Sequence, residues 1–172
     1  MVKLRFYFVA LVLGIFSSYL AAKIELGYYD LFPSIPFWVH LVVLAPILEE
    51  ILKLGAAKLS FKWSSSESIY LAITAGYGFA IMETIYYMPH ENDYYIRLIL
   101  PTHILFTLLA CKHLSLGILF HSAWNFGYFA STIFPFWMLL ITFLYYLLFF
   151  YIIQNSDKLV SKTSTDLIQT AS

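Results

Sequence analysis

Of 172 residues, 61% are hydrophobic and only 12% are charged, about half the charged share of an ordinary soluble domain. That balance excludes a soluble globular protein and points to a chain solvated by lipid. Ten Lys and Arg balance ten Asp and Glu, so no overall attraction to nucleic acid or acidic partners can be argued, and no nucleic-acid partner is expected.

An α-helix needs about 20 apolar residues to cross the hydrocarbon core, and windows of that length mark six candidate spans in chain order. The first runs from Phe6 to Ala22; Lys3 and Arg5 before it resemble the start of a signal peptide, but its apolar run is long and further spans follow, so it reads as a retained helix. The others run from Ile35 to Ala57, Ser68 to Met88, Ile96 to Cys111, Leu114 to Ile133 and Phe134 to Gln154. The expected fold is all-α, a polytopic membrane protein whose single domain, 1–154, is a bundle of about six transmembrane helices around a buried polar site. Residues 155–172 are polar and rich in Ser and Thr, and are expected to form a disordered cytoplasmic tail. Cys111 has no partner for an intrachain disulfide, being the one cysteine of the chain, and reads as a small apolar filler.

Six spans put both termini on one side. That side holds Lys3, Arg5, Lys58, Lys62, Lys112, Lys158 and Lys162, and the other only Lys23 and Arg97. Basic residues stay on the cytoplasmic face during insertion, so both termini are expected in the cytoplasm, most simply at the cell membrane. Glu25, Tyr28, Tyr29, Asp30, Glu91, Asp93, Tyr94 and Tyr95 then form an acidic and aromatic rim at the opposite headgroups. His40 and His90 read as interface imidazoles and His113 as a loop residue, all solvated.

The second span contains PILEEILKL, with Glu49, Glu50 and Lys53 inside an apolar run. Twelve Leu, Ile, Phe and Val between Ile35 and Leu54 supply roughly −4 to −7 kcal/mol toward insertion, against roughly 7 to 10 kcal/mol for three central charges. The span is therefore unfavourable alone. Lys53 lies i,i+4 from Glu49 and i,i+3 from Glu50, so it can reach either carboxylate from the same helix. An ion pair that only fixes helix packing is one explanation.

The next spans argue for more than packing. The third places Glu83 on a stripe with Gly76, Phe79, Ala80 and Tyr86 or Tyr87, and small residues there permit a close neighbour. The fourth carries His103 and Thr107 one turn apart, and the fifth His121 and Asn125. At 1.5 Å per residue, Glu49, Glu83, His103, His121 and Asn125 fall roughly 10–20 Å from their helix ends, near the middle of a ~30 Å core. One shared cavity is expected.

In this order, Glu49-Glu50-x-x-Lys53, Gly78-Phe79-Ala80-x-x-Glu83-x-x-Tyr86, His103-x-x-x-Thr107 and His121-x-x-Trp124-Asn125 resemble the motifs of the PrsW family of intramembrane proteases, of the superfamily that includes the CAAX prenyl endopeptidases. The resemblance runs from Pro46 to Asn125. Thr84 stands where the family usually has Asn, and Ala110 near where a glycine often follows the third motif.

The resemblance implies hydrolysis of a peptide bond in a membrane protein or lipidated peptide near or within the bilayer. Water is a poor nucleophile, so a carboxylate must take its proton; Glu49 is the expected general base, with Lys53 and Glu50 as its electrostatic support. By resemblance Glu83 holds or polarises the water, while His121 and Asn125 offer N–H donors to the developing oxyanion. Glu49, Glu83, His103 and His121 also make an adequate set for a catalytic zinc with an open position. The CAAX relatives work without an essential zinc and PrsW proteins are commonly described as metalloproteases; the sequence leaves both open, with the glutamate mechanism preferred. Tyr86, Thr107 and Trp124 read as supporting residues. Two other functions remain: a proton-coupled transporter, built from the same residue types, and a non-catalytic membrane scaffold or chaperone of the same superfamily.

Overall fold

A computed structural model describes residues 2–61, 68–87, 102–131 and 136–155. Six long helices account for nearly all of them: α1 (Val2–Leu31), α2 (Ala45–Phe61), α3 (Ser68–Tyr87), α4 (Thr102–Lys112), α5 (Leu114–Ser131) and α6 (Phe136–Gln154). No strand occurs among the described residues, as expected of a chain whose backbone must satisfy itself away from water. Residues 156–172 of the expected tail and the expected rim residues Glu91, Asp93, Tyr94 and Tyr95 lie outside the described residues, as do His90 and Arg97.

Among the described residues two helices, over Leu4–Leu31 and Ile69–Tyr86, are long and apolar enough to cross a membrane by themselves, and Thr102–Lys112 is a shorter apolar helix. The expectation of six spans is thus met for two on length and composition. The reasons are local. Helix α2 carries Glu49, Glu50, Lys53 and Lys58 within 17 residues, and the 11 residues of α4 rise only about 16 Å.

Helix α1 is longer than the hydropathy suggests. It continues past Ala22 to Leu31, so Glu25 is a helical residue facing the bundle and not part of a headgroup rim. Helix α1 runs along α3 and α2. Glycine makes the closest of these approaches possible: a Cβ on Gly14 would strike the carbonyl oxygen of Ala75, and one on Gly78 that of Leu11. At the α3–α4 contact, a Cβ on Gly76 would lie 2.9 Å from both Ile104 Cα and Thr107 Oγ1. Helix α2 is central, touching α1, α3, α4 and α5. Below it, Ala57, Ala72, Leu105, Phe106, Leu109, Tyr145 and Ile152 pack into one apolar cluster, to which Tyr145 is tied by its hydroxyl donating to the carbonyl of Phe120.

The entry to α2 is irregular. A helical turn, Phe37–Val39, runs into a π-helical segment, His40–Leu44, and then into α2. Pro46 supplies the reason, since it has no N–H to donate. The Ala45 N–H reaches back to the carbonyl of His40, and the wider winding would pair the Leu41 carbonyl with residue 46, which is proline. Leu41 therefore needs an acceptor's partner from elsewhere.

Candidate active site

The orphaned carbonyl is taken up by α5. Asn125 Nδ2 donates to Leu41 O at 2.8 Å, so the amide expected to face an oxyanion braces the π-helical segment about two turns before Glu49. Asn125→Ala should leave that carbonyl unpaired and cost about 1–3 kcal/mol. Thermal unfolding of the purified variant in detergent checks this; an unchanged midpoint would contradict the strut.

Four helices meet at one polar cluster, three of whose members, Glu49, His103 and His121, have ligand-type atoms all within 4.8 Å of one another. Glu49, Glu50 and Lys53 come from α2, His103 from α4, His121 from α5 and Glu83 from α3. Lys53 is 1% exposed and Glu50 fully buried, so each charge is compensated inside the protein. The Lys53 ammonium lies 2.7 Å from Glu50 Oε1, 3.0 Å from His103 Nδ1 and 3.1 Å from Glu49 Oε2. It also sits 4.3 Å from the centre of the Phe79 ring, a favourable place for a desolvated cation.

These contacts settle how the imidazoles are used. His103 Nδ1 accepts from the ammonium, which leaves its proton on Nε2, and that nitrogen is in contact with Glu83 Oε2. His121 Nδ1 is 2.8 Å from Glu50 Oε1 and donates to that carboxylate, while its Nε2 lies 3.8 Å from Glu49 Oε2. Each ring is therefore backed by one carboxylate and turns its other nitrogen toward Glu49. Packing fixes the planes as well: Phe106 stacks on His121 at 4.6 Å, and His103 meets His121 edge-on at 5.7 Å.

Glu49 differs from Glu50. Its contact with Lys53 is ionic without hydrogen-bond alignment, so Glu49 Oε2 is a buried oxygen with no hydrogen-bond partner, and it is the atom that both imidazoles approach. A buried acceptor left in that condition is poised to take a proton or a cation. A small cleft beside it is lined by Ser18, Glu25, Glu49, Phe79, Glu83 and Tyr86. Glu25 thus belongs to the site although it carried no motif; a helix continued beyond Ala22 was the signal.

Other expected residues have supporting positions. Thr107 Oγ1 donates to the His103 carbonyl at 2.7 Å and Thr84 Oγ1 to Ala80 O at 2.7 Å, both within their own helices. Trp124 packs against Tyr145 with ring centres 5.1 Å apart, and so steadies α5 behind the site. His40 is a correction: it is 5% exposed and stacks on Tyr29 at 4.3 Å, so it is not a solvated interface imidazole. His113, between α4 and α5, is exposed as expected.

The residues present fit a divalent metal. Two imidazoles and a carboxylate are the donor set of a catalytic zinc, and the carboxylate behind each imidazole is the usual outer partner of a metal-bound histidine. Glu49 Oε2 is the unsatisfied oxygen such an ion would find, and Glu49, Glu50 and Glu83 against the one ammonium of Lys53 leave the cluster short of positive charge.

The sequence profile described as PrsW family intramembrane metalloprotease matches residues 3–116. That stretch contains Glu49, Glu50, Lys53, Glu83 and His103 and ends before His121 and Asn125. No curated protein and no solved structure matches the chain.

Proposed function

Because the chain belongs to the PrsW family of intramembrane metalloproteases, we propose that it is an endopeptidase that hydrolyses a peptide bond of a membrane-associated protein, with the water activated at Glu49. The observation that carries this reading is the convergence of His103 and His121 on the buried, unsatisfied Oε2 of Glu49.

In this reading the scissile peptide approaches Glu49 from the side of the cleft between α1 and α3, and Glu49 takes the proton of the attacking water. Glu83 and Glu50 hold His103 and His121 in fixed tautomers and orientations, so no rearrangement is needed when charge develops. Lys53 keeps Glu49 and Glu50 side by side despite their like charge. Without a metal, His121 Nε2 is placed to receive the proton and return it to the leaving amine. The second N–H of Asn125 remains for the oxyanion. Glu49, His103 and His121 would hold a metal ion, which when bound supplies a Lewis acid and a more readily deprotonated water.

We read the six helices as one membrane-embedded bundle with both termini cytoplasmic, a placement supported by Lys58 and Lys112 in the last turns of α2 and α4. A proton-coupled transporter or a scaffold has no need of two imidazoles backed by carboxylates around an unsatisfied oxygen. The test is to incubate the purified protein in proteoliposomes with a solubilised membrane-protein fraction and to identify new N-termini by mass spectrometry. Cut sites within or beside transmembrane segments are expected, and none with Glu83→Gln; identical sites with that variant would overturn the reading.

A further inference from the structure

Lys53 stands in the way of the metal that its neighbours fit. Its ammonium touches two of the three candidate ligands, at 3.0 Å from His103 Nδ1 and 3.1 Å from Glu49 Oε2. The His103 lone pair that a metal would use is already accepting a Lys53 hydrogen, because the other ring nitrogen faces Glu83. An ammonium and a divalent ion cannot share that lone pair, and at such separation inside a protein their repulsion is large. One must leave for the other to bind.

The structure also offers the ammonium somewhere to go. Glu50 Oε1 accepts from both Lys53 and His121, whereas Glu50 Oε2 is buried with no hydrogen-bond partner. A small swing of the four-carbon stem would carry Lys53 off His103 and Glu49 and onto both oxygens of Glu50. The stem is flexible enough for this, and the charge stays compensated throughout.

We infer that Lys53 is a displaceable internal cation that occupies the metal position of the free protein and withdraws onto Glu50 when a divalent ion binds. The inference rests on the reading of Glu49, His103 and His121 as metal ligands. It gives the buried lysine two duties: holding the carboxylates together without metal, and setting how tightly metal is held. It also leaves the metal-free protein with an internal cation between Glu49 and Glu50 instead of a site with two naked carboxylates.

The test is a zinc titration of the metal-stripped full chain in detergent, read by competition with a chromophoric chelator. Lys53→Met removes the competing charge while keeping the stem, and should bind zinc at least about tenfold more tightly than the native chain; His121→Ala should lose the site. Equal or weaker binding by Lys53→Met, with the native chain still binding, overturns the inference and leaves the metal reading intact. A native chain that takes up no zinc overturns both. Where Lys53→Met does not fold without metal, the native chain decides by a structure determined with zinc: the Lys53–His103 contact of 3.0 Å is expected to open beyond hydrogen-bond range, and its persistence beside bound zinc contradicts the inference.

Discussion

Glu49→Gln should abolish peptide hydrolysis and leave the protein folded. The amide keeps the shape of the side chain but accepts no proton, and loss of a positioned base typically costs 10²–10⁴-fold in rate. Folding should survive because the firm partner of Lys53 is Glu50, at 2.7 Å, while the Glu49 contact is ionic and poorly aligned. The measurement is the rate of peptide cleavage together with the thermal unfolding midpoint of the same preparation. Cleavage at the native rate would remove Glu49 from the role of base.

Glu50→Gln should do the reverse, failing first in stability. One carboxylate oxygen, fully buried, accepts from both the Lys53 ammonium and His121 Nδ1. Without its charge, Lys53 retains the misaligned Glu49, the His103 lone pair and the face of the Phe79 ring. Breaking a buried ion pair by removing one partner costs about 3–5 kcal/mol, because the other charge stays buried. The expected result is a sharp drop in folded yield and unfolding midpoint, with activity lost in consequence. If Glu50→Gln melts with the native protein and fails only in cleavage, the two adjacent carboxylates have been given each other's roles.

Helix order and the residues that meet in the buried polar cluster were legible because they depend on short-range pattern. Apolar runs mark helices, and acids, imidazoles and a lysine inside such runs are costly enough to demand a shared interior. What the sequence hid depends on where helices end and which faces meet. A hydropathy window stops at Lys23 and assigns Glu25 to the headgroups, but the helix continues to Leu31 and brings Glu25 to the cleft. Pro46 announces a lost hydrogen bond; that the orphan is the Leu41 carbonyl, and that Asn125 fills it from 84 residues away, is a tertiary fact. The same holds for Lys53. Its spacing shows that it reaches Glu49 and Glu50, whereas its third contact, His103 Nδ1, comes from another helix.

The central claim is that water activated at Glu49 cuts a peptide bond in the membrane, and hydrolysis in water enriched in oxygen-18 tests it most directly. Purified protein in proteoliposomes is given a pool of transmembrane peptides, and the products are weighed. The account predicts cut peptides whose new carboxyl ends carry the heavy isotope, formed by the native chain and absent with Glu49→Gln. Labelled products formed equally by Glu49→Gln, or a native chain that cuts nothing in the pool, would contradict it.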